Sequence, residues 1–142
     1  MIAGMKRPLT SLPQDMRGTA MIEMALLLPL FLMLLLGILI YGQYFLLAHS
    51  VQQAANDGAR AAITGLDAAD RRAVAIRAVD RSMGGIGGYR SELRSVLVSE
   101  TREAVTVDLA YRVPEGNLLR STLVPTPAEV IRARATFELP AD

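Results

Sequence analysis

The decisive stretch runs from Arg17 to Gly42, RGTAMIEMALLLPLFLMLLLGILIYG. No side chain between Met24 and Gly42 is charged, and after Glu23 the next charge is Asp57. A helix needs roughly 20 apolar residues to cross the hydrocarbon core of a bilayer. Leucines all round the circumference suit lipid better than the interior of a soluble protein. The stretch therefore reads as one membrane-spanning helix.

Flanking charge gives its direction. Lys6, Arg7 and Arg17 precede the span and only Asp15 opposes them, whereas no Lys or Arg follows until Arg60. The positive-inside rule keeps the N-terminal side cytoplasmic and exports the rest. Tyr41 and Tyr44 fall near the outer end, where aromatic rings favour the interface. The apolar run is too long for an ordinary cleaved signal peptide, and no small-residue site closes it. An uncleaved signal anchor is the plain alternative.

Gly18 and Glu23 mark the start of the run. A carboxylate at the mouth of a membrane helix is expensive unless it snorkels to the headgroups or finds a partner. Cutting the chain between Gly18 and Thr19 would supply one. It creates an α-amino group, whose reference pKa of about 7.7–8.0 leaves it largely protonated near neutral pH. Glu23 would then be the fifth residue, able to pair with that amine or a neighbour's, and placed in the first helical turn where the helix dipole favours it. Residues 1–18, with Pro8 and Pro13 and no amphipathic period, read as an extended cytoplasmic leader.

These residues resemble the TadE-like pseudopilins of the tight-adherence (Flp) pilus system. The resemblance covers residues 17–62. It rests on Gly18, Glu23, Ala25, Pro29 and Gly37, and on the alanine-rich run QQAANDGARAA with Ala54, Ala55, Ala59 and Arg60. Met24 departs from the aromatic residue expected after the glutamate. The resemblance implies a prepilin peptidase that cuts at Gly18–Thr19. It also implies an inner-membrane assembly platform, a cytoplasmic assembly ATPase and other pilins as partners. The length fits a minor pseudopilin of the TadE or TadF kind.

Outside the span, Pro29 excepted, the signals are structural. Pro29 removes one backbone hydrogen bond inside the helix, either as a tolerated membrane proline or as a local softening that helps the helix enter a filament. Residues 19–63 are expected to form one helix that leaves the membrane and continues. Its small residues Ala54, Ala55, Gly58, Ala59 and Ala62 allow close approach of another element. A sheet of the same chain is the preferred occupant, another pseudopilin the alternative. Asp57 and Arg60 are expected to face water or each other.

A second helix is expected over roughly Asp67–Met83, in the segment 64–83. Its apolar positions are Leu66, Ala69, Ala73, Val74, Ile76, Val79 and Met83, and Asp70, Arg71, Arg72, Asp80 and Arg81 make a solvated face. The glycines at 84, 85, 87 and 88 read as a linker or turn that lacks any phosphate-binding pattern.

Beyond them the period changes to two. Val96 and Val98, then Val105 to Val113, then Ile131 to Leu139 alternate with polar residues, giving three half-buried antiparallel strands with a turn at Thr101–Glu103. Prolines bracket a loop holding Leu118 and Leu119, read as a variable or partner-facing segment, or alternatively as a short strand or helical turn. The expected architecture is α+β: a long N-terminal helix packed on a small C-terminal antiparallel sheet, with residues 84–142 as the exported β domain.

Composition excludes much else. The chain has 142 residues, no cysteine, one histidine and a net charge of +1. That leaves no disulfide or thiolate chemistry, no multi-histidine metal site and no basic surface for nucleic acid. No catalytic residues, cofactor or metal site are assigned. Ser50 beside His49 is the one serine–histidine neighbourhood, and it sits at the membrane. Membrane lipid is the remaining expected contact.

Overall fold

The computed structural model describes residues 16–120, 125 and 128–139. The leader up to residue 15 and parts of the proline-bracketed loop lie outside the described residues. Helix α1 spans Met16–Ala62 and helix α2 Ala68–Met83. Strands β1 (Arg94–Glu100), β2 (Ala104–Arg112) and β3 (Val130–Glu138) form one antiparallel sheet in the order β1-β2-β3. Short 3-10 turns at Ser91–Leu93 and Leu118–Arg120 precede β1 and follow β2. This is the α+β architecture that the change of period predicts.

The chain divides into two compact units, Met1–Leu35 and Leu36–Asp142. The described part of the first is helix alone. Its large apolar side chains, Met21 to Leu35, stand exposed, and the helix from Gly18 is long and apolar enough to cross a membrane. α1 begins at Met16, so the last residues before Thr19 are helical rather than extended. No proline stands between Met16 and Thr19 to break the helix.

The second unit holds the core. Each strand buries alternate residues: Val96 in β1, then Val105, Val107, Leu109 and Tyr111 in β2, and Ile131, Ala133 and Ala135 in β3. The pairing puts these on one face, with Val107 opposite Ala135 and Leu109 opposite Val96 and Ala133. Alternation arises because successive side chains in a strand point to opposite sides. Complete burial of a valine, leucine or methionine contributes about 1.5–3 kcal/mol. On the other face the Thr106 and Thr136 hydroxyls meet at 2.9 Å.

α2 covers that core with Ala75, Val79 and Met83, four residues apart on one face. Ala75 was not among the expected apolar positions, and Leu66 was. Leu66 lies ahead of α2 and is 92% exposed. The helix covers the span that the pattern indicates and starts at Ala68 because Asp67 caps it, its Oδ1 accepting the Asp70 N–H at 2.8 Å. Asp70 reaches back to the Leu66 N–H at 3.1 Å. Gly65 permits the turn between the helices: a Cβ there would fall 2.6 Å from the Arg71 backbone.

The glycine segment is a set of tied turns, with Gly84 donating to Asp80 O at 2.9 Å, Ile86 to Met83 O at 3.0 Å and Tyr89 to Ile86 O at 3.1 Å. Thr101 closes the β1–β2 hairpin by donating to Ala104 O at 2.8 Å. After β2 the segment carrying Leu119 folds inward as a helical turn. Leu119 is buried, its N–H bound by Asn117 Oδ1 at 3.0 Å.

Candidate functional site

Gly18, Thr19, Glu23 and Pro29 all lie on α1. Thr19 and Glu23 are exposed and four residues apart, so they share a face about 6 Å apart along the axis. The first turn of α1 holds no acidic residue, because the helix starts at Met16. Glu23 is thus about two turns in, beyond the reach of the helix dipole, which falls off within the first turn. The dipole argument for Glu23 fails for the uncut helix. Pro29 sits inside the helix and has no N–H to give to the carbonyl of Ala25.

Farther along, within the second unit, α1 presents a buried stripe to its own chain. Ile40, Leu47, Val51, Ala54, Ala55, Ala59 and Ala62 belong to the core. Gly58 marks the closest approach. A Cβ there would lie 2.8 Å from Val79 Cγ2, 3.4 Å from the Ala75 carbonyl oxygen and 3.6 Å from Val107 Cγ1. At Gly58 the close neighbours are therefore α2 and β2 of the same chain.

Polar side chains fasten the rim of this stripe. Tyr41 donates its hydroxyl to Pro125 O at 3.2 Å, and Gln52 Nε2 donates to Arg134 O at 3.1 Å. Asp57 and Arg60 are both exposed, facing water as expected rather than each other. Asp57 accepts from Ser82 Oγ at 2.9 Å, and the Arg60 guanidinium lies 5.7 Å from the Phe137 ring centre. Ser50 gives its hydroxyl to Leu46 O at 2.9 Å, and His49 is exposed.

The face of α2 read as solvated is partly a seam with β1. Arg94 grips Asp80 with two hydrogen bonds, Nε to Oδ1 at 2.5 Å and Nη2 to Oδ2 at 2.7 Å. Tyr89 donates its hydroxyl to the same carboxylate at 2.7 Å. The Arg94 guanidinium holds the Asp80 carboxyl below its ordinary range, against an opposing effect of burial and with help from Tyr89. Burial, then the Asp80 charge, pushes the Tyr89 hydroxyl up to about 12. Arg71 pairs with Glu100 at the other end of β1. Nothing in the sequence pattern signalled either pair. Among the described residues no cluster of three or more His, Cys, Asp or Glu could hold a metal ion.

An apolar helix with a glycine and a glutamate at its entrance, followed by an alanine stripe, is the pattern that comparison with known proteins tests. Residues 18–60 match the family described as TadE-like protein. This region of the chain is similar to that family. The match begins at Gly18 and ends at Arg60, so it takes in the apolar helix and nearly all of the small-residue stripe but not the sheet. Searches of curated proteins and of solved structures give no match.

Proposed function

We propose that the chain is a minor pseudopilin of a tight-adherence pilus, made with a leader over residues 1–18 and cut by a prepilin peptidase between Gly18 and Thr19. The observation that carries this reading is the placement of Thr19 and Glu23. Both are exposed, on one face, at the entrance of an apolar TadE-like helix. Removal of the leader puts a protonated amine one turn from the Glu23 carboxylate, and two charges in a low-dielectric surrounding need such a partner. The same cut brings the helix start nearer to Glu23 and restores the dipole contribution that the uncut helix lacks.

The mechanism has three stages. The chain inserts with its basic end in the cytoplasm and residues 64–142 exported. The peptidase removes the leader. The assembly platform, driven by its cytoplasmic ATPase, then brings the apolar helix against other pilins, with Pro29 softening it for the transfer. The exported unit folds on its own α1 stripe, so assembly falls to the apolar segment and the unit's outer surface. Deleting the gene in a piliated host tests this: piliation and adherence should be lost and return with the wild-type chain but not with Glu23→Val. Full piliation in the deletion strain contradicts it.

A further inference from the structure

Where α1 packs on the sheet, one side of it stays bare. Phe45 and Leu46 are 66% and 69% exposed and continue the apolar surface of Ile38 and Leu39. Leu46 also lines a cavity of about 540 Å³. Leu46 and Leu47 of α1, Gly85, Ile86 and Gly87 of the glycine turns, and Leu119 line it. That volume is within the range of small-molecule sites.

Neither backbone conformation nor close approach requires glycine at two of these positions. Among the described residues only Gly88 and Gly116 have φ in the left-handed region, and a Cβ at Gly85 or Gly87 would meet nothing within 4 Å. Glycine loses more conformational entropy on folding than any other residue. Bare backbone at two such positions leaves room for something outside the chain.

Depth along α1 identifies the occupant. From Thr19 to Leu39 the helix rises about 30 Å, the thickness of the hydrocarbon core. Leu46 lies about 10 Å farther on, at the level of headgroups and glycerol esters. Its exposed side chain links the apolar helix surface to the cavity. Gln43, Ser50 and Asn117 add polar groups to the lining. A polar and apolar mixture at interfacial depth fits the ester region and first methylenes of a phospholipid.

We propose that this cavity seats a phospholipid of the adjoining leaflet, which cements the exported unit to the bilayer surface. The proposal rests on the membrane-anchored reading of α1 and is independent of leader cleavage. The chain contains no tryptophan, so a single introduced indole reports one place. The full chain carrying Gly87→Trp is reconstituted in phosphatidylcholine vesicles brominated near the head of the acyl chains. Leu39→Trp on the apolar helix is the quenched reference, and Arg102→Trp in the β1–β2 turn the unquenched one. Ile86→Trp gives a second reporter, and circular dichroism checks that each variant folds.

The proposal expects quenching at Gly87→Trp close to that at Leu39→Trp, falling to the Arg102→Trp level when Gly85→Leu fills the cavity. Quenching no greater than at Arg102→Trp overturns it, whether water or a second protein fills the space. Quenching that survives Gly85→Leu also overturns it, because the turn then merely touches the bilayer. Loss of quenching at Leu39→Trp would instead overturn the membrane-anchored reading itself.

Discussion

Gly58 of α1 and Val79 of α2 are in such close contact that a single added methyl at Gly58 would come within 2.8 Å of Val79 Cγ2. Val79 is completely buried and stiff at χ1, so it has little room to give. Gly58→Ala gains about 1 kcal/mol of helix propensity and loses about 1–3 kcal/mol to overpacking. The net expectation is a loss of about 1 kcal/mol. Gly58→Ala combined with Val79→Ala should be less destabilised than the two single losses added, since the second change removes the clash of the first. Denaturant unfolding of the four proteins in one detergent checks this. Strict additivity would show that the two residues do not constrain each other.

The Asp80–Arg94–Tyr89 group predicts how stability depends on pH. The folded pKa of Asp80 is depressed, so its contribution is present above the ordinary carboxylate pKa near 3.8 and is lost as pH falls through the lower folded value. The folded pKa of Tyr89 is raised to about 12 from 10.0, so its contribution is complete below pH 10 and is lost as pH rises towards 12. Asp80→Asn should cost about 1 kcal/mol at neutral pH, since the bonds are charge-assisted but partly exposed. It should also flatten the acid limb. Tyr89→Phe should remove the alkaline limb and weaken the acid limb only in part, because Arg94 is the larger cause of the low Asp80 pKa. Thermal melts across the pH range separate the two.

Strand β2 and the outer face of β1 offer a contrast in packing. Leu109→Ala empties a fully buried site between Val96 and Ala133, and should destabilise by about 2–5 kcal/mol. Leu97 is 57% exposed, and Leu97→Ser should stay within about 0.5 kcal/mol of the parent. Equal losses at the two positions would mean that the outer face is covered.

These contrasts show which features a sequence can reveal. The strands were legible because alternation at Val105, Val107, Leu109 and Tyr111 is a local property of half-buried strands. The apolar helix and the Gly18–Glu23 spacing were legible because each is contiguous. Ala75 is buried without standing out in the pattern because alanine carries little hydrophobic signal, and Leu66 is exposed because the Asp67 cap starts the helix after it. Long-range partners left no trace in the pattern. Asp80 finds Arg94 only because the glycine turns bring β1 back to α2, and Arg60 finds Phe137 across the sheet. A charge on a helix looks solvated until the element that covers it is known.

Pro29 separates the span's two tasks. Pro29→Ala restores the hydrogen bond to Ala25 and should stabilise the isolated helix by about 3 kcal/mol or less. Leader removal and membrane insertion should be unchanged, because neither Gly18 nor the length of the apolar run is altered. If softening of the helix aids extraction, adherence should fall in this variant while the cut chain accumulates in the membrane. Normal adherence would make Pro29 a tolerated membrane proline.

Leader cleavage is the claim on which the account turns. The chain is co-expressed with a cognate prepilin peptidase, and its N-terminus is determined by mass spectrometry beside a Gly18→Ala control. The account predicts a chain that begins at Thr19, with the cut lost in the control. An intact leader beside a peptidase that cuts its other substrates would contradict it, and would leave a signal-anchored protein whose exported sheet binds a partner.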